Sequence, residues 1–233
     1  MTDSFTWGNR GVDATASGLL WWESVGAVAA ASGAALEQTF TDFLANGPAV
    51  DGVPLDIADA VRRAIGSHIV VRPARPDDGP AVAAVRVESW RDAYAHVLSP
   101  EFLAALDADA DAERWSNTIV RIADDPSRGT FVVAELDGAV RGFAIAGPPR
   151  PLEGETPPRE WQLFLIYQDA EMHGTGSGQA LIEASIGDRP THLWTAEDNP
   201  RAIAFYRRNG FVPDGERTVD ADAEDLAEIR MVR

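Results

Sequence analysis

The sequence contains no cysteine, and all 20 of its basic residues are arginine, so lysine is absent as well. Both absences remove whole chemistries. A Walker phosphate loop needs its lysine, and a pyridoxal or aldolase Schiff base needs a lysine amine. Thiol nucleophiles, disulfides and cysteine-ligated zinc or iron–sulfur sites go with them. Positive charge is scarce too: 20 Arg face 37 Asp and Glu, for a net charge of −17. Acidity on this scale repels a phosphate backbone, which argues against nucleic-acid partners and for cationic ones. Excess acid, with Arg in place of Lys, also simply keeps a protein soluble. No apolar run reaches the roughly 20 residues of a membrane-crossing helix, because the nearest approach, Gly18 to Leu36, is interrupted by Glu23. The leading segment carries Asp3, Arg10 and Asp13 and so lacks the basic start of a secretory signal; a cytoplasmic protein with no membrane partner is expected.

What is present suffices for a real core: 45% of the 233 residues are hydrophobic and 24% are charged, the profile of a soluble protein of one large or two modest domains. Residues 1–67 read as a small helical appendage with short helical patterns at Leu19–Ala31, Ala34–Leu44 and Leu55–Ile65, and no chemical motif. A different rhythm begins at 68. Ile69-Val70-Val71 is a short strand ended by Pro73; Asp77 then caps a helix carrying Val82, Val85, Val87, Trp90 and Tyr94. One helical stretch is predicted over Pro100–Ile122. Asp137-Gly138 between the apolar runs Phe131–Leu136 and Ala139–Ile145 predicts a hairpin with a two-residue primed turn. A Pro-rich loop, Gly147–Arg159, separates it from Trp161–Tyr167, which is apolar on both faces as a buried central strand should be. The order then runs helix (Gly176–Ile186), strand (His192–Thr195), helix (Pro200–Asn209) and two closing strands, Phe211–Val219 and Glu228–Val232. Alternation of this kind implies an α/β or α+β layered domain.

The strand at 161–167 runs into His173-Gly174-Thr175-Gly176-Ser177-Gly178, where a helix opens. Glycines at a strand-to-helix turn let backbone N–H groups converge on an anion such as a pyrophosphate, with the helix N-terminus adding positive potential. The bland reading is a tight turn. A dinucleotide fingerprint would need glycine where Gln179 stands, which reduces a nicotinamide binder to a minor alternative. Further on, Asn199 suits a helix N-cap, Pro200 the first turn, and Gly210 a left-handed stop. Asp107-Ala108-Asp109-Ala110-Asp111 looks like the start of a calcium loop but lacks its Gly and its bidentate Glu, so no metal site is assigned.

Taken together, the His-Gly-Thr-Gly-Ser-Gly loop and the segment Asn199-Pro200-Arg201-Ala202-Ile203-Ala204-Phe205-Tyr206, followed by Gly210-Phe211, resemble the GNAT superfamily of acetyl-CoA-dependent N-acetyltransferases. Arg72-Pro73-Ala74, Ser89–Tyr94 and the Asp137-Gly138 hairpin extend the likeness over residues 68–233, leaving 1–67 outside it. The resemblance implies a GNAT-like mixed, mostly antiparallel sheet flanked by helices. It implies that backbone at Ile166, Tyr167 and Gln168 pairs with the pantetheine arm, that His173, Gly174, Thr175, Gly176, Ser177 and Gly178 wrap the pyrophosphate, and that Asn199 contacts the pantetheine. Arg207 and Arg208 are the nearest sources of positive charge. Tyr206 would hand a proton to the departing sulfur as general acid, and a backbone N–H near Tyr167 or Gln168 would polarise the thioester carbonyl. With no cysteine, transfer must be direct, from acetyl-CoA to a small-molecule amine. Many relatives place a Glu base on the central strand where this chain has Gln162, which cannot accept a proton; Glu160, Glu197, Asp198 or His173, acting through water, are the candidates in its place. The acceptor is expected near Trp90–His96, the Pro-rich loop and the Asp214–Asp225 connection, whose six acids suit a cationic amine such as a polyamine or aminoglycoside. A homodimer is the family-level expectation. The competing reading, motivated by Gln162, is a non-catalytic acyl-CoA-binding module acting through the N-terminal appendage.

Overall fold

The computed structural model describes residues 69–149 and 156–233, together with the backbone of two paired two-residue strands, Thr6–Trp7 and Arg10–Gly11. The three helical patterns expected within 1–67, and 150–155 of the Pro-rich loop, lie outside the described residues. The main domain runs β1 (Ile69–Pro73), α1 (Gly79–Tyr94), α2 (Pro100–Ala105), α3 (Ala108–Asp124), β2 (Thr130–Leu136) and β3 (Ala139–Gly147). It continues with β4 (Trp161–Gln168), α4 (Ser177–Ser185), β5 (Thr191–Ala196), α5 (Pro200–Arg208), β6 (Val212–Asp220) and β7 (Leu226–Val232). Seven strands form one mixed sheet in the order β1-β2-β3-β4-β5-β7-β6, and every neighbouring pair is antiparallel except β4 and β5.

The hairpin forms as its turn chemistry dictates. Asp137 and Gly138 sit at φ 52° and 80°, the two positive angles of a primed turn, and Leu136 pairs with Ala139 across them. Helices cover both faces of the sheet. On one, α1 and α3 bury Val82, Val85, Trp115 and Ile119 against Phe131, Val133 and Phe143. On the other, α4 and α5 bury Leu181, Ile182 and Tyr206 against Leu163, Leu193 and Met231. Burying a side chain such as Leu181 contributes about 1.5–3 kcal/mol, so these two clusters set the position of everything around β4.

Two local expectations are corrected. The stretch Pro100–Ile122 is two helices, because Leu106 is extended (φ −67°, ψ 116°) and the Asp107 carboxylate accepts hydrogen bonds from Asp109 N (2.9 Å) and Ala110 N (3.2 Å), starting a new helix. The calcium-like acids are therefore the first turn of α3. At the front of α1 the cap position belongs to Asp78 rather than Asp77. A 3₁₀ turn over Pro76–Asp78 brings the Asp78 carboxylate onto the Arg72 guanidinium (2.7 and 2.8 Å) and Arg75 N (2.7 Å). Arg72 also reaches Glu135 on β2, tying β1, β2 and α1 into one ionic unit. These contacts hold the Asp78 carboxyl below the usual carboxylate range, against the opposing effect of its burial.

The feature that makes a site is at the centre. β4 and β5 pair only at Trp161–Thr191 and Gln162–His192, then part. Across β4, Ile145 pairs with Leu165 and Ala146 with Leu163, so Phe164 is an extra, unpaired residue. A bulge bends its strand and increases local twist, and here it lies just past the last residue paired with β5. Only Leu163 of β4 is buried; the rest of the strand is half-buried, where full burial was expected, because its outer half borders a cleft.

Candidate active site

A cavity of about 660 Å³ occupies the gap between β4 and β5. β4 supplies one wall, from Gln162 to Gln168; Trp194 and Thr195 of β5, the glycine loop, α1, α5 and the two closing strands supply the rest. Beyond Gln162 every second residue of β4 directs its N–H and C=O away from β3 into the gap with no strand to receive them. Such an edge inside a cleft suits an extended, amide-bearing ligand.

At one end lies the glycine loop. Gly174 and Gly176 adopt φ 77° and 93°, left-handed angles that turn the chain sharply into α4. The hydroxyls of Thr175 and Ser177 face inward and pin the turn: both donate to the Met172 carbonyl (2.7 and 3.0 Å), and Ser177 Oγ also donates to Gln168 Oε1 (2.9 Å). The N–H groups of His173, Thr175 and Ser177 are engaged within the turn, which leaves those of Gly174, Gly176 and Gly178 to meet a ligand. A Cβ on Gly178 would stand 3.0 Å from the Phe205 ring, so α4 and α5 approach there only because the residue is glycine. His173 lines the cavity with Nδ1 buried and without a hydrogen-bond partner among the described residues. Burial, with Arg201 nearby, pushes its imidazole down to about 3, so it is neutral at pH 7.

The loop and strand residues expected at the site converge: Ile166, Tyr167, Gln168, His173, Gly174, Gly178, Asn199 and Tyr206 all line the cavity. Thr175, Gly176 and Ser177 form the turn beside it. Asn199 is the N-cap of α5, its Oδ1 accepting from Ala202 N at 2.9 Å. Of the two arginines expected to supply charge, Arg208 reaches the cavity wall and Arg207 does not; Arg201, which sequence reasoning passed over, is there as well. Arg201 forms no ion pair among the described residues and feels Asp92 only at longer range.

The chain has three tyrosines, and all three border this cavity. Tyr167 Oη accepts a hydrogen bond from Trp90 Nε1 (2.9 Å), and the Tyr94 phenol, raised by burial, is lowered in part by the Asn199 side chain. The Tyr206 hydroxyl makes no hydrogen bond among the described residues. Burial raises its phenol well above the usual range, helped by Tyr167, Tyr94 and Glu228, so it holds its proton. Among the base candidates, Glu160 and Glu197 lie outside the cavity lining, with Glu197 paired to Arg217 (2.5 Å), and Asp198 is exposed beside His96. Instead the cavity contains Glu228, an acid that no local motif marks, and Asp220, from the acidic connection expected near the acceptor.

Comparison with known proteins agrees with this geometry. Residues 86–211 match the Acetyltransferase (GNAT) family. An uncharacterized N-acetyltransferase of Bacillus subtilis, YuaI, is 30% identical over 171 residues, covering 71% of this chain and 88% of that protein.

The chain belongs to the GNAT family.

A probable N-acetyltransferase of Mycobacterium tuberculosis, Rv2775, is 27% identical over 64% of this chain and 83% of that protein. The PaiA N-acetyltransferase of Thermoplasma acidophilum, solved with coenzyme A, shares the fold at TM-score 0.55 and 22% identity, covering 71% of this chain and 98% of that one. As a GNAT protein it is an N-acetyltransferase whose acetyl donor is acetyl-CoA. The residues present fit that donor: a splayed strand edge for amide groups, a glycine turn with free N–H groups for phosphates, and an unpaired phenol between them. The described residues contain no helix long and apolar enough to cross a membrane.

Proposed function

We propose that this enzyme transfers acetyl directly from acetyl-CoA to the primary amine of a small cytoplasmic molecule. The observation that carries the reading is the single parted strand pair, with a phosphate-sized glycine turn at one end and the free Tyr206 hydroxyl between its walls. In this reading the turn from His173 to Gly178 wraps the pyrophosphate, the N–H groups of Gly174, Gly176 and Gly178 being the ones left to hold it, with Arg201 or Arg208 adding charge, and the edge of β4 at Ile166–Gln168 holds the pantetheine arm. Asn199 orients α5 at the pantetheine, and a β4 N–H at Tyr167 or Gln168 polarises the thioester carbonyl, the kind of fixed donor that stabilises developing negative charge. Tyr206 protonates the departing sulfur. No cysteine exists to carry the acyl group, so amine and donor meet in one complex.

The test is release of free thiol from acetyl-CoA across a panel of small primary amines. Tyr206→Phe is expected to lower kcat about 100-fold, the usual contribution of a positioned acid, with acetyl-CoA affinity changed less than about 2-fold. Undiminished turnover in that variant removes Tyr206 from the mechanism. Gln162 remains in place of a strand-borne base, and it is the observation that favoured a purely binding role; membership of the family favours turnover.

A further inference from the structure

Glu228 lines the cavity from β7, the strand next to β5, and has neither a hydrogen bond nor an ion pair among the described residues. It sits on β7, in register with Ala196 of β5 and Thr218 of β6. Residues in register across strands share a face of the sheet, so Glu228 lies on the same face as Trp194 and Arg230. That is the face covered by α1, where Trp90 and Tyr94 pack with Ala196 and Leu226. Tyr206 packs on the other face, with Leu193 and Met231. The parted strands thus put the glycine turn and Tyr206 on one side of the sheet and a carboxylate between aromatic walls on the other.

The neighbouring cations are already engaged. Arg230 donates to Asp214 (2.8 Å) and lies over the Trp194 ring at 5.5 Å, and Arg217 is held by Glu197. Arg201 and Arg208 come from α5. Asp220 of β6 is the charge that acts on Glu228, and the phenols of Tyr94 of α1, Tyr167 of β4 and, from the other face, Tyr206 of α5 feel the Glu228 charge in turn. Burial raises all three phenols, so they stay protonated and Asp220 is the charged neighbour. Asp92 of α1 and His96, just past the end of that helix, line the same cavity. Asp220 is itself oriented, its Oδ1 accepting from Asp222 N at 3.0 Å. A half-buried carboxylate beside a second one, with no cation of its own, is a site short of one positive charge.

We infer that Glu228 receives the acceptor as an alkylammonium, entering from the α1 face between Tyr94 and Trp194, and takes the proton that frees its nitrogen for attack. The inference rests on the transfer reading above and names its substrate class: aliphatic primary amines, in preference to arylamines. The ammonium N–H bond breaks and its proton moves to the Glu228 carboxylate. The amine nitrogen bonds to the acyl carbon, the carbon–sulfur bond breaks, and the sulfur takes the Tyr206 proton. Tyr206 recovers a proton from the acylated nitrogen, and Glu228 passes its own to solvent. Burial, with Asp220 alongside, raises the Glu228 carboxyl to about 7, within reach of a working base at neutral pH.

The experiment uses the full chain, wild type, Glu228→Gln and Asp220→Asn, with phenethylamine and aniline as acceptors and acetyl-CoA affinity measured separately by calorimetry. An alkylamine is protonated at pH 7, its pKa being near ~10, whereas aniline is already neutral and needs no base before attack. For Glu228→Gln the expected result is a fall of about 100-fold or more in kcat/KM for phenethylamine, loss of the acid limb of its pH profile near 7, a change under about 3-fold for any turnover of aniline, and unchanged acetyl-CoA affinity. Asp220→Asn is expected to move the acid limb to lower pH, a response that a merely structural role would not produce. Retention of both the phenethylamine rate and the acid limb in Glu228→Gln overturns the inference while leaving the transfer reading intact. Wild-type protein that binds acetyl-CoA but acetylates no amine overturns the transfer reading, and this inference with it.

Discussion

His173 and Tyr206 show how burial assigns roles to single residues. Both lie at the cavity wall, and both are held in the neutral form, the imidazole because burial beside Arg201 disfavours its cation and the phenol because burial disfavours its anion. For His173 the sign of the stability effect follows directly. Its folded value of about 3 lies below the unfolded 6.5, so the unfolded chain binds more protons in that interval and stability falls as pH drops from about 6.5 towards 3. His173→Gln should remove this component: at pH 5 the variant is expected to lose about 2 kcal/mol less, relative to pH 8, than wild type does. Denaturant titrations at the two pH values measure it, and identical pH dependence would show that His173 titrates normally. Tyr206, Asn199 and His173 were legible in sequence because each belongs to a short motif whose turn and cap chemistry is local. Arg201 was within the same motif and still overlooked, since a helix N-terminal arginine reads as surface until α5 is packed against the loop.

At the scale of elements, the glycine turn and the two parted strands do different work. The turn is set by backbone angles. Gly176 is in the left-handed region at φ 93°, and a Cβ there meets nothing within 4 Å, so a substitution costs conformational strain without a clash. Gly176→Ala is expected to destabilise by about 1–2 kcal/mol, or several degrees in Tm for a domain of this size, and to weaken acetyl-CoA binding by misaiming the N–H groups of the turn. Thermal melts with and without acetyl-CoA check both parts; an unchanged Tm would mean the angle is not strained for alanine. This turn, the Asp137-Gly138 hairpin and the capped α5 were all readable beforehand. The break at Leu106 and the bulge at Phe164 were not. A continuous helical pattern conceals the first, because Asp107 acts as a cap only once the preceding residue is extended. The second leaves no mark in an apolar strand, since the extra residue is defined by its partner on β3.

Across the whole molecule, a net charge of −17 acts at long range on whatever approaches. Small cations are steered and anions repelled, over a distance that salt shortens to about 10 Å at 0.1 M. The kcat/KM for a dicationic amine is therefore expected to fall several-fold between about 0.02 and 0.3 M salt, while a neutral acceptor changes little; a flat salt dependence for the dication would show that the acidic surface plays no part in capture. The donor is an anion in an acidic protein, so its attraction must come from the local positive groups of the glycine turn and α5. This contrast between local and global charge separates the two ends of the cleft.

The absence of cysteine and lysine, the order of elements, the glycine turn and the phenol of α5 follow from the sequence by itself, because each depends on residue chemistry or on contacts a few positions apart. The sequence marks Asp220 within the acidic Asp214–Asp225 connection, but carries Glu228 as one acid among 37 and gives no sign that the two meet. Only the tertiary structure brings them together. Placing β7 beside β5, and parting β5 from β4, half-buries one carboxylate beside another, sets tyrosines drawn from α1, β4 and α5 along the same cavity, and leaves Arg230 and Arg217 engaged elsewhere. Burial and the identity of neighbours decide what a carboxylate does, and both are properties of strands brought together from distant parts of the chain.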